Sequence, residues 1–101
     1  MKKISDLMSL KGRRALITGA TGGIGQEIAL TIAELGGDLL LVDRPSSDYG
    51  LVTQKIFDNW DVNIECIDCD LENEASRNYL IDKAIKSDKN LDILINNAAF
   101  V

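Results

Sequence analysis

Four short apolar runs punctuate the chain, at residues 14–18 (RALIT), 39–42 (LLLV), 62–69 (VNIECIDC) and 91–95 (LDILI). Their near-continuous apolar character, rather than strict alternation, is the pattern of strands covered on both faces of a parallel sheet. Between them the apolar positions follow a helical period. Ile24, Ile28, Ile32 and Leu35 make one stripe, ended by Gly36-Gly37, and predict a first helix with that stripe turned inward. Ser46 and Ser47, just after Pro45, offer a cap to a second helix whose inward positions are Val52, Ile56 and Trp60. Ala75, Ile81, Ala84 and Ile85 predict a third, from about Glu72 to Ser87, with Lys83, Lys86 and Lys89 near its C-terminal end, where cations suit the helix dipole.

Strands alternating with helices predict an α/β fold, a Rossmann-type parallel sheet. Right-handed crossovers fix much of its topology. Stepping from strand 1 to 2 to 3 in one direction puts helices 1 and 2 on one face, and helix 3 must return on the other to place strand 4 beside strand 1. The expected order is 3-2-1-4, with a switch point between strands 1 and 4, beyond whose carboxyl ends ligands bind in such sheets.

At 101 residues the chain is one small domain or a portion of one. Residues 1–10 read as an N-terminal extension and 11–101 as the Rossmann-type domain, in part. Ser5, Asp6 and Ser9 interrupt the apolar positions of MKKISDLMSL, and no run reaches the roughly 20 apolar residues of a membrane span. The expectation is a cytoplasmic protein with no membrane partner. A net charge of −5 argues against a nucleic-acid partner, and without a histidine these residues supply neither histidine catalysis nor histidine ligation to a metal. Cys66 and Cys69 have C-x-x-C spacing, but on a strand residues three apart point to opposite faces. Both are expected to be small buried side chains.

The first strand runs into LITGATGGIGQEIA, with four glycines where a strand meets a helix. Glycine there costs roughly 0.5–1 kcal/mol relative to alanine, so the backbone path must be one that side chains would block. Gly19 lets the chain turn out of the strand, Gly23 allows a ligand to approach the backbone, and Gly25 lets the helix pack on the sheet. Free N–H groups at the helix start favour an anion such as a pyrophosphate, although packing alone also explains a glycine-rich turn. Asp43 ends the second strand, where a carboxylate faces the ribose of an adenosine. It accepts hydrogen bonds from two hydroxyls and repels a 2′-phosphate, which favours NAD over NADP. Arg44 beside it leaves NADP open, because a guanidinium pairs with phosphate or stacks on adenine, and Asp43 can alternatively serve the turn before Pro45.

These residues carry a family resemblance. Thr18-Gly19-Ala20-Thr21-Gly22-Gly23-Ile24-Gly25 is similar to the TGxxxGIG signature of the short-chain dehydrogenase/reductase family, Asp70-Leu71 resembles its adenine-holding pair, and Asn96-Asn97-Ala98-Ala99 resembles its NNAG motif. The motifs appear in order and cover nearly the whole chain from Leu10 onward. The resemblance implies an NAD(P)-dependent oxidoreductase that transfers hydride between nicotinamide and an alcohol or ketone. It places Thr21, Gly23 and Ile24 at the pyrophosphate, Asp43 and Arg44 at the adenosine ribose, Asp70 and Leu71 at adenine, and Asn97 and Ala98 along the nicotinamide-side ribose, and counts Gly19, Gly22, Gly25 and Ala99 among the cofactor-binding positions. Asn96 is expected to be structural. Ala99 departs from the family's glycine.

In the family, a serine and a Tyr-x-x-x-Lys pair lie further along and carry the chemistry, so no catalytic residue is expected among these 101. Tyr79 and Lys83 have the same spacing, but precede the NNAA segment and belong to the third helix. Strand 4 is expected at an edge, its apolar residues partly bare, to be covered by the rest of a longer enzyme or by a second copy. A non-catalytic nucleotide-binding or interaction module is the alternative reading, and the same scaffold also admits another adenosine cofactor.

Overall fold

The computed structural model describes residues 7–86 and 90–98. The elements run β1 (Arg14–Thr18), α1 (Gly23–Glu34), β2 (Asp38–Asp43), α2 (Gly50–Asn59), β3 (Ile64–Asp68), α3 (Glu74–Lys86) and β4 (Ile93–Asn96). All strand pairs are parallel and the sheet order is β3-β2-β1-β4. This is the Rossmann-type arrangement that the crossover rule predicts. Thr18 pairs with Val42 on one side and Asn96 on the other, so three strands reach their carboxyl ends at one level.

Alternate residues of the central strands build two cores. Ala15, Ile17, Leu39 and Leu41 pack with Ala29, Ile32 and Ala33 of α1 and Val52 and Ile56 of α2. On the other face Leu16, Leu40, Val42 and Ile67 meet Leu80 and Ala84 of α3, together with Cys69. The helices thus divide two and one, as predicted. At the opposite end from the glycine turn, the buried Arg14 donates to Glu65 Oε2 at 3.1 Å and to the Ala84 carbonyl at 3.4 Å, tying β1 to β3 and α3.

Several local expectations shift. The buried stripe of α1 is Gly25, Ala29, Ile32 and Ala33, while Ile24 is 71% exposed. Small residues face the sheet because the helix sits close to it, so Ile24 and Ile28 move to its flank while Ile32 keeps its inward place. In α3, similarly, Leu80 and Ala84 are buried whereas Ala75, Ile81 and Ile85 are exposed. Neither Ser46 nor Ser47 caps α2: its N-cap is Tyr49, and Asp48 Oδ1 accepts the Gly50 N–H at 2.8 Å. Helix α3 has a side-chain cap instead, Asn73 Oδ1 accepting from the Ser76 N–H at 2.9 Å. Cys66 is exposed and only Cys69 is buried. Partial desolvation, with Asp68 and Glu65 close by, pushes the Cys66 thiol above its ordinary value. Ser87, Lys89 and Ala99 lie outside the described residues.

Strand β4 is an edge. Leu94 is 67% exposed on it, and Leu91 just before it is exposed as well. Beside it, Gly23, Ile24, Glu27, Ile28, Thr31, Ile32 and Ile95 line an open groove of about 570 Å³ along the flank of α1.

Candidate dinucleotide site at the carboxyl ends of the strands

The glycine-rich turn leaves β1 under the control of one buried hydroxyl. Thr18 Oγ1 accepts the N–H groups of Asn97 at 3.0 Å and Ala98 at 3.1 Å and donates to Asn96 Oδ1 at 3.1 Å. One side chain therefore clamps the segment after β4 to the start of the turn, and Asn96 has the structural role expected of it. The next residue, Gly19, has φ +68. A Cβ there would stand 3.1 Å from Ala98 Cα, so glycine meets two demands at once: the left-handed backbone and the close approach of the neighbouring loop. Asn97 Nδ2 donates to the Gly19 carbonyl at 3.4 Å.

Gly25 answers a different contact from the one expected. Its missing Cβ would collide with the Gly19 carbonyl and crowd Ala20 Cα, so the glycine lets α1 close onto the turn's own backbone. At Gly23, by contrast, an added Cβ meets nothing within 4 Å. The backbone there faces open space, as ligand approach requires. No side chain caps the N-terminus of α1, and its first turn holds no acidic residue. Those N–H groups retain their partial positive charge for an incoming anion.

Asp43, at the end of β2, faces the turn. Its Oδ2 accepts the Thr21 hydroxyl at 2.6 Å and the Thr21 N–H at 2.9 Å, and its Oδ1 accepts the Arg44 N–H at 2.8 Å. Burial raises its pKa, but the donors on Thr21, Arg44 and Ser47 outweigh that and hold the carboxyl below the ordinary aspartate value. The group is ionised at neutral pH. Gln26 Nε2 donates to the Thr21 carbonyl at 2.8 Å and fixes the far side of the turn.

Behind Asp43, the Tyr49 hydroxyl accepts the Asp43 N–H at 3.0 Å and lies within donating distance of the Ile67 carbonyl at 3.1 Å and Asp68 Oδ1 at 3.0 Å. It fastens the carboxyl ends of β2 and β3 together. Burial, with Asp68 adjacent, pushes its pKa well above the ordinary tyrosine value. Past β3, Asp70 Oδ1 accepts the Glu72 N–H at 3.1 Å and the Asp70 N–H donates to Ser76 Oγ at 2.9 Å, while the Leu71 carbonyl accepts from Arg77 at 2.7 Å. Leu71 and Arg44 are exposed.

Residues expected to act together thus surround one turn, with Asp43 on one side and Asn97 and Ala98 on the other. Tyr79 and Lys83 do not join them. Tyr79 is exposed on α3, and the Lys83 ammonium sits over its ring, 5.6 Å from the centroid. The positioning residues Tyr49 and Gln26 carry no motif of their own, and Thr18, although it opens the glycine signature, gives no sign there that its hydroxyl holds the segment after β4.

A parallel sheet with an uncapped glycine turn at its switch point defines a ligand-binding α/β fold of the Rossmann type. Comparison with known sequences makes the class specific: the short chain dehydrogenase family profile matches residues 13–101, and the chain belongs to that family. It is 37% identical over 94 residues to 7alpha-hydroxysteroid dehydrogenase of Escherichia coli strain K12, a match covering 93% of this chain and 36% of that protein. Among solved structures, a short-chain type dehydrogenase/reductase from Mycobacterium marinum superposes with a TM-score of 0.87 at 32% identity, covering 99% of this chain and 40% of the other. A 3-oxoacyl (acyl-carrier-protein) reductase from Agrobacterium tumefaciens C58 with NADP bound has a TM-score of 0.85 at 28% identity, covering 97% and 37%. The chain therefore spans well under half the length of these relatives.

Proposed function

We propose that the chain is the cofactor-binding portion of an NAD(P)-dependent oxidoreductase that moves a hydride between nicotinamide and an alcohol or ketone carbon. The observation that carries this reading is the junction of Asp43 with the glycine turn at Thr21, which puts an ionised acceptor beside the turn that leads into an uncapped helix N-terminus. The N–H groups at Gly23, Ile24 and Gly25 face the diphosphate and Asp43, with Arg44, the adenosine ribose. Asp70 and Leu71 flank the adenine, while Asn97 and Ala98 lie toward the second ribose. A bound nicotinamide supplies or accepts the hydride; these residues bind and orient it.

The Agrobacterium reductase carries NADP, so family membership leaves the choice of dinucleotide open. Asp43 favours NAD here, because an ionised carboxylate accepts from a ribose hydroxyl and repels a 2′-phosphate. Titrating the purified chain with NADH and with NADPH, followed by nucleotide fluorescence, tests this reading. NADH should bind more tightly, and Asp43→Ala should shrink the difference by about tenfold, equivalent to ~1.4 kcal/mol. Absence of binding to either nucleotide by the folded wild-type chain would refute it.

A further inference from the structure

We infer that Thr21 is a positioning residue for dinucleotide selection, acting through Asp43 rather than on the diphosphate. The inference rests on the function proposed above. A threonine offers one hydroxyl hydrogen and one backbone N–H. Both are engaged by the same atom, Asp43 Oδ2, at 2.6 and 2.9 Å, which leaves neither donor for a phosphate oxygen. The shorter contact lies in the range of a charge-assisted O–H···O⁻ bond, among the stronger hydrogen bonds in proteins.

The arrangement fixes the carboxylate from both ends. Oδ2 is saturated by Thr21, and Oδ1 accepts the Arg44 N–H at 2.8 Å. A carboxylate has about four acceptor directions; Thr21 takes two and Arg44 one, and the Ser47 side chain is the donor that a ribose hydroxyl replaces at the fourth. Thr21 is itself held, its carbonyl accepting from Gln26 Nε2 at 2.8 Å. Rotation of the Asp43 side chain would break two bonds to Thr21 together. A ribose hydroxyl thus meets an acceptor already in place, and a 2′-phosphate meets a negative charge that cannot swing aside. Selectivity of this kind depends on rigidity, and the Thr21 hydroxyl supplies it.

Thr21→Val keeps the backbone N–H and the side-chain shape but removes the hydroxyl, whereas Thr21→Ser retains it. Dissociation constants for NADH and NADPH are measured for the wild type, both variants and the Asp43→Ala/Thr21→Val pair, each checked for folding by its thermal melt. Thr21→Val should lower the NADPH-to-NADH ratio of dissociation constants by about fivefold, the net scale of one ordinary hydrogen bond. Thr21→Ser should stay close to the wild-type ratio. In the Asp43→Ala background, Thr21→Val should shift the ratio no further, because the residue it acts through is gone. An equal loss of affinity for both nucleotides in Thr21→Val, or an undiminished shift without Asp43, overturns the inference while the proposed function stands. A wild-type chain that is folded and binds neither nucleotide overturns both.

Discussion

A methyl group added at Gly25 would land on the Gly19 carbonyl, whereas one added at Gly23 meets only open space. The two glycines, two positions apart in one helix, therefore predict opposite outcomes. Gly25→Ala should cost roughly 1–3 kcal/mol in urea unfolding, because the helix must move off the turn it rests on. Gly23→Ala should leave stability unchanged or raise it slightly, since alanine is the better helix former, yet weaken dinucleotide binding by crowding the ligand's approach. If Gly23→Ala binds as the wild type does, close backbone approach at that position is wrong. The carboxyl of Asp43 adds a pH dependence. Its folded pKa lies below the ordinary 3.8, so its contribution to stability is present above that value and is lost as pH falls through the folded one. Tyr49 has the reverse sign: its raised pKa gives stability below the ordinary 10.0 that is lost as pH rises. Unfolding followed across pH should show an acid limb flattened by Asp43→Asn and an alkaline limb flattened by Tyr49→Phe.

Between elements, the decisive atom is Thr18 Oγ1. It is buried, and it alone gathers the N–H groups of Asn97 and Ala98 and the amide oxygen of Asn96 onto the end of β1. Thr18→Val preserves volume and strand propensity but leaves those polar groups without their partner, so it should cost about 2–3 kcal/mol and loosen the segment after β4. Hydrogen exchange at Asn97 and Ala98 should quicken more than at Leu39 and Leu41; uniform quickening would mean that Thr18 is ordinary core. This contact also marks the limit of what the sequence discloses. Strand order and helix sides were legible because crossover handedness leaves few alternatives once strands and helices alternate. The motif glycines and Asp43 were legible because backbone path and charge are local properties. Helix faces were less so: counting apolar residues favours Ile24, Ile28 and Ile81, but packing depth at Gly25 and Leu80 decides which side turns inward. The pairings of Thr18 with Asn97 and of Tyr49 with Asp68 join distant segments and cannot be read from either one alone.

For the whole molecule, the exposed aliphatics have a common setting. Ile24 lies on the groove beside α1, Leu94 stands out from the β4 edge, and Ile81 and Ile85 are exposed on α3. Ile24, Ile81 and Ile85 read as core, Leu94 as a bare edge residue, and none of the four is covered among the described residues, in a chain that matches 25–40% of its relatives' length. An unpaired strand edge flanked by exposed aliphatics is a template for further strand pairing. A net charge of −5 opposes association between copies at neutral pH, and that repulsion weakens as salt screens it. The isolated chain should therefore self-associate increasingly with concentration and with added salt, observable by sedimentation velocity. Leu94→Lys places a solvated charge on the edge without touching either core, and should keep the chain monomeric under conditions where the wild type associates. Equal association of Leu94→Lys and wild type would clear the β4 edge and direct attention to the groove beside α1, where Ile24→Lys makes the corresponding test.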